Sequence, residues 1–163
     1  MIAQPHTKYA PASPVNLPDR QWPSRTIDHP PVWLSTDLRD GNQAIFEPMG
    51  VATKLKFFDE LVRIGFKEIE VGFPAASQID FDVVRHLIDH RLIPDDVTPM
   101  VMTQARDDLI ERTVESVIGA KSAIIHIYNS TAPVWRETVF RMTVPEVIQM
   151  VRDRVQTVKN LTD

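Results

Sequence analysis

The 163-residue chain carries 18 Lys and Arg against 22 Asp and Glu, a formal charge of −4, with 43% apolar and 25% charged residues. That balance is ordinary for a globular protein, too apolar for wholesale disorder and too acidic for a nucleic-acid binder with a broad basic face. Apolar runs stop far short of the ~20 residues that cross a bilayer, the opening residues do not read as a secretory leader, and the lack of Cys removes disulfides, thiolate metal sites and cysteine nucleophiles.

Residues 1–31 hold seven of the 13 prolines and no periodic apolar face, which predicts an extended arm. Trp22 and Ile27 are its candidate anchors. Val32-Trp33-Leu34 reads as a short strand. Val51, Leu55, Phe58, Leu61 and Val62 recur at helical spacing over 51–65, with Gly65 near the end. From Lys67 to Phe73 the spacing changes to two: Ile69, Val71 and Phe73 share one strand face, and Glu68, Glu70 and Gly72 the other. A helix over 79–91 turns Phe81, Val84, Leu87 and Ile88 inward. Met100-Val101-Met102 is a strand core. A helix over 107–118 carries Ile110, Val114, Val117 and Ile118. Ala123 to Tyr128 is an apolar strand interrupted by His126. Thr143-Val-Pro-Glu146 resembles a capping box opening a last helix with Val147, Val151, Val155 and Val158. The alternation β-α-β-α-β-α-β-α implies an α/β fold with parallel strands and right-handed crossovers, either an open doubly wound sheet or half of a barrel. About 160 residues suit one domain, whereas a complete (β/α)8 barrel needs roughly 250. No glycine-rich phosphate loop follows any strand.

In parallel α/β folds the C-terminal strand ends host chemistry, so polar groups there are the candidates. The first strand runs into Asp37-Leu38-Arg39-Asp40-Gly41-Asn42-Gln43, with Gly41 expected to permit a tight turn. Its carboxylates can bind a divalent cation while Arg39 holds an anionic or enolic oxygen; equally, the cluster can be a solvated turn closed by a salt bridge. Glu70 is expected to point away from the helices and to need a partner, for which Arg39 is a candidate. Ile124, His126 and Tyr128 share one face, followed by Asn129 and Ser130. His126 is either a satisfied core residue or an imidazole that meets a carbonyl, a carboxylate or a metal. His6, His29, His86 and His90 read as arm or helix-surface residues; the i,i+4 spacing of His86 and His90 could chelate, but no H-E-x-x-H surrounds them.

Asp37-Leu-Arg-Asp-Gly-Asn-Gln-Ala44 resembles the first-strand signature of the 2-isopropylmalate synthases. These belong with homocitrate and citramalate synthases and hydroxymethylglutaryl-CoA lyase among the metal-dependent TIM barrels. Lys67-Glu-Ile-Glu-Val-Gly-Phe-Pro74, Ala76-Ser-Gln78, Ile93-Pro-Asp-Asp-Val97, His126-Ile-Tyr-Asn-Ser-Thr131 and the arm segment Trp22-Pro-Ser-Arg25 to Pro31-Val-Trp33 are similar too. The likeness runs from about Tyr9 to the last residue. It implies an arm over 1–31 and, over 32–163, the first half of a (β/α)8 barrel. It also implies a cytoplasmic acyltransferase of leucine biosynthesis that condenses acetyl-CoA with 2-oxoisovalerate. Asp40 would ligate Mg²⁺, Mn²⁺ or Zn²⁺. Arg39 would be catalytic, against the keto or enolate oxygen. Gln43 would lie at the metal and substrate edge, and His126 would contact the keto acid, with Tyr128 nearby. Nucleic acid and membrane are not implied partners; a homo-oligomer or the missing barrel half is. The family's H-x-H metal pair does not occur in this sequence, so the chain is expected to be an incomplete portion, inactive alone. A homocitrate- or citramalate-type acyltransferase, or a non-catalytic self-associating fragment, are the alternatives.

Overall fold

The computed structural model describes residues 30–162 together with Ser13, Asn16, Pro18 and Asp19. The arm expected over 1–31, with Trp22 and Ile27, falls almost wholly outside the described residues.

Four parallel strands form one sheet in the order β1 (Leu34–Ser35), β2 (Glu68–Gly72), β3 (Thr98–Gln104) and β4 (Ile124–Tyr128). Helices α1 (Val51–Ile64), α2 (Gln78–Asp89) and α3 (Asp107–Val117) make the crossovers. A short helix α4 (Pro133–Trp135) and a π-helical turn (Arg136–Phe140) then lead to α5 (Val144–Thr162). The sequential strand order decides between the two topologies. A doubly wound sheet reverses direction at a switch point, whereas here each crossover adds the next strand on the same side, as in the first half of a barrel.

One face of the sheet is sealed by helices. Ile69, Val71 and Val101 pack with Phe58 and Leu61 of α1, Val83, Val84 and Leu87 of α2, and Val117 of α3. These are mostly the positions marked by period-2 and helical spacing. Helix α1 ends as Gly65 requires: its φ is 108°, and its amide and that of Phe66 return to Leu61 and Val62 carbonyls. Helix α2 starts at Ser77, whose hydroxyl accepts the Asp80 amide. At α5, Glu146 accepts from both the amide and the hydroxyl of Thr143, each at 2.7 Å. The Thr143 hydroxyl donates here rather than accepting the Glu146 amide, so one arm of the expected box forms.

Four expectations shift. A register shift after Glu70 pairs Gly72 with Val101 and turns it toward Asp80 of α2 rather than to the face of Glu70, and the Phe73 ring meets Tyr128 rather than following Ile69 and Val71. The first strand begins at Leu34, where pairing with Glu68 starts; Trp33 is 68% exposed. Ile118 leaves the α3 stripe because its ψ of 129° ends the helix, and it is exposed. Phe81 is half-buried beneath the Arg112 guanidinium, 3.5 Å from its ring centre. Among the described residues no helix is long and apolar enough to cross a membrane.

Candidate active site

The face opposite the helices carries the polar residues. Register places Glu70 beside Met100, and Met102 beside His126, so these side chains stand on one surface across β2, β3 and β4. The turn that follows β1 reaches the same side, where Arg39 meets Glu70.

That turn, Asp37–Gly41, is π-helical because the Thr36 carbonyl accepts three consecutive amides: Arg39 at 3.2 Å, Asp40 at 2.8 Å and Gly41 at 3.3 Å. The wide turn sends Leu38 into the core, fully buried, and Arg39 across to β2. Gly41 has no left-handed φ, and a Cβ there would meet Asp37 at an ordinary 3.7 Å, so glycine's freedom is not what closes this turn, contrary to expectation. Asp37 accepts the Ser35 hydroxyl at 2.6 Å. Asn42 accepts the Met49 amide at 2.8 Å and pins the following loop, on which Gln43 is exposed.

Arg39 is the hub. Its Nε and Nη2 donate to Glu70 Oε2 at 2.9 and 2.6 Å, and its Nη1 to Asp40 Oδ1 at 3.0 Å. Glu70 is 1% exposed, and its other oxygen meets His126 Nδ1 at 3.1 Å. Adjacent strands lie about 4.8 Å apart, so this last contact spans β3. A carboxylate oxygen accepts there, so the proton in that bond belongs to His126 Nδ1, which turns Nε2 away from Glu70. Arg39 has five N–H groups and uses three here, which leaves two for an incoming oxygen. Asp40, with its side chain 63% exposed, stands at the rim. One guanidinium thus faces two carboxylates.

Tyr128 sits one strand-step beyond His126. Its phenol accepts from Gln104 Nε2 at 2.8 Å, and its ring meets Phe73 edge-on, with centroids 6.3 Å apart. The sequence reading missed Gln104, although its place at the end of β3 was a signal. It also missed Lys54, fully buried on α1, and Asp80 on α2, which together hold the turn from below. His86 of α2 and His90, just past its end, stack at 4.0 Å, and His90 Nδ1 lies against the His86 carbonyl.

Arg39, Asp40, Glu70 and His126 are therefore joined in one chain of contacts, with Tyr128 beside them and Gln43 further along the turn's exit. Among the described residues, no three His, Asp or Glu side chains gather into a set that could hold a metal ion. Asp40 offers one carboxylate, and one oxygen ligand does not complete the six or so that a hard cation takes. The described residues thus fit a cation's edge but not its whole coordination shell.

A family profile described as HMGL-like matches residues 31–163. The chain is 64% identical over 162 residues to 2-isopropylmalate synthase of Herbaspirillum seropedicae, covering 99% of this chain and 28% of that protein. It is 58% identical over 163 residues to 2-isopropylmalate synthase of Cupriavidus taiwanensis, covering 100% of this chain and 29% of that protein. The corresponding protein of Ralstonia nicotianae is 62% identical over 140 residues, covering 86% of this chain and 24% of that protein. The chain thus spans less than a third of the length of the curated relatives it matches.

Proposed function

The chain belongs to the HMGL-like family, and on that premise we propose that it forms the keto-acid end of a cytoplasmic acyltransferase of the 2-isopropylmalate synthase kind. The reaction is condensation of acetyl-CoA with 2-oxoisovalerate in leucine biosynthesis. Residues 32–163 would supply four βα units of a (β/α)8 barrel and residues 1–31 an arm. The remaining units would come from further chain or from a partner, with homodimers as the working assembly. The observation that carries the reading is the Arg39–Glu70–His126 connection from the turn after β1 across β2 to β4.

The chemistry assigns work to each side chain. Carbon–carbon bond formation moves an electron pair onto the keto oxygen of the acceptor. The two uncommitted N–H groups of Arg39 are aimed by Glu70 and would receive that charge without reorganising, as preorganised donors do. His126, held by Glu70 through Nδ1, would present Nε2 to the keto acid. Tyr128, fixed by Gln104 and Phe73, would wall the same pocket, and Gln43 would close its edge. Asp40 would supply one ligand to a divalent cation, whose other ligands would come from outside the described residues. That cation, when bound, would polarise the keto carbonyl as a Lewis acid.

The test is a chimera in which this chain replaces the matched segment of the Herbaspirillum seropedicae relative. Free CoA thiol is followed with 2-oxoisovalerate, 2-oxoglutarate and pyruvate as acceptors. Release that depends on 2-oxoisovalerate and exceeds the other two supports the proposal. Preference for 2-oxoglutarate or pyruvate would favour a homocitrate- or citramalate-type enzyme. No release from a folded chimera would reject acyl transfer.

A further inference from the structure

Beneath the rim lies a charged pair that takes no part in the reaction outlined above. Lys54 of α1 is fully buried, and its ammonium has three N–H groups to satisfy. It donates to Asp80 Oδ1 at 2.5 Å, to the Leu38 carbonyl at 2.7 Å and, at longer range, to the Val71 carbonyl at 3.5 Å. The other Asp80 oxygen accepts the Phe73 amide at 2.8 Å. Leu38 immediately precedes Arg39, and Val71 immediately follows Glu70. A single ammonium therefore bridges the backbone beside each member of the Arg39–Glu70 ion pair.

Gly72 shows how closely the arrangement is built. A Cβ at that position would lie 2.6 Å from Asp80 Cγ and 2.7 Å from its carboxylate oxygen. The carboxylate reaches the end of β2 only because the side chain there is absent. Lys54 and Asp80 are thus taken from water beside a cluster of Val, Leu, Ile and Phe. Desolvation consumes most of what such a pair returns in stability, so stability alone is a poor account of it. Its distinctive product is a fixed backbone distance.

We propose that Lys54 and Asp80 are positioning residues, a buried clamp that sets the turn carrying Arg39 and Asp40 against the end of β2. The clamp stands on its own geometry; its consequence for turnover rests on the acyltransferase reading. Lys54→Met alone would strand a buried carboxylate and unfold the chain, so the informative variant is the double substitution Lys54→Met with Asp80→Asn. It removes both charges together and keeps an oxygen for the Phe73 amide. Gly72→Ala keeps both charges and displaces the carboxylate instead.

Amide hydrogen exchange on the full chain reads the clamp directly. In both variants the Arg39, Asp40 and Gly41 amides should exchange at least about tenfold faster while β3 amides keep their protection. The Arg39 Nε–H resonance should lose the protection given by Glu70. In the chimera kcat should fall by roughly tenfold to a hundredfold, with KM for acetyl-CoA within about twofold, since displacement of an aligned group by 1 Å has effects of that order. Unchanged turn amides in a folded variant would overturn the proposal. So would loss of protection across β3 as well, which would make the pair a support of the whole sheet. If the unsubstituted chimera releases no thiol, the reading of the reaction fails while the exchange result still decides the clamp.

Discussion

Replacing Glu70 separates what holds the site from what it does. Glu70 is 1% exposed and satisfies two donors of Arg39 and one of His126. Glu70→Leu removes the acceptor and leaves a guanidinium whose side chain is 15% exposed, with exposed Asp40 as its remaining carboxylate partner. Breaking a buried pair from one side costs about 3–5 kcal/mol. The residual solvation of Arg39 and its bond to Asp40 place this case near ~3 kcal/mol, against a total of ~5–15 kcal/mol for an ordinary domain. Urea denaturation followed by circular dichroism should show that loss, and the melting temperature should fall by roughly 6–12 °C. Glu70→Gln asks a finer question. Its amide oxygen can still accept from Arg39, but its NH₂ then faces His126 and can only donate. The imidazole must offer a lone pair at Nδ1, so its proton moves to Nε2, at a cost of about 1 kcal/mol. Nitrogen-15 shifts of His126 report the tautomer. An Nδ1–H ring in the unsubstituted chain that becomes Nε2–H in Glu70→Gln is the expected outcome. Identical shifts in both, or a Glu70→Leu chain within about 1 kcal/mol of the original, would refute the argument.

If Asp40 is the proposed ligand, Asp40→Ala in the chimera should weaken Mn²⁺ binding at least about tenfold by calorimetric titration; unchanged affinity would remove Asp40 from the proposed ligand set. Leu87, 1% exposed between α2 and β2, should cost about 2–5 kcal/mol on truncation to Ala, measured by urea midpoint. The amide and hydroxyl of Thr143 hold the Glu146 carboxyl below its ordinary value of 4.5. A carboxylate depressed on folding stabilises above its unfolded pKa and loses that contribution as pH falls through the folded one. The protection factors of amides in the first turn of α5, taken against the intrinsic rate at each pH, should therefore fall as pH drops below 4.5, and Glu146→Gln should abolish that dependence.

The strands and helices were legible where one residue's spacing spoke for one face. Ile69 and Val71 alternate with Glu68 and Glu70, so the direction of Glu70 followed; the alternation breaks after Glu70, where the register shifts and Phe73 turns to Tyr128. Gly65 marked a helix end because its φ is one that glycine supplies readily. Arg39 as the partner of Glu70 followed from the need of any buried carboxylate. The start of β1 was not legible, since Val32 and Trp33 are as apolar as a strand requires while pairing begins only at Leu34. Strand order likewise cannot be read from alternation alone, because both parallel architectures share it. The deepest omission was the buried clamp. Lys54 falls three residues after Val51 and four before Phe58, on the stripe itself, and Asp80 precedes Val84 by four. Each is a charge at an inward position, a signal that periodicity counts of apolar residues discard. Period-2 spacing places Gly72 with Glu70, but the register shift turns it to the helix side, where Asp80 approaches. Gln104 reaches Tyr128 from the neighbouring strand, a contact set by register rather than by local sequence.

The central claim is that Arg39 faces the oxygen on which charge develops. Arg39→Lys in the chimera tests it most directly, because the change keeps one positive charge but cannot keep both the bond pair to Glu70 and the two free N–H groups. The account predicts that kcat for 2-oxoisovalerate-dependent thiol release falls about a hundredfold or more while the protein stays folded. A turnover within about twofold of the unsubstituted chimera would contradict it.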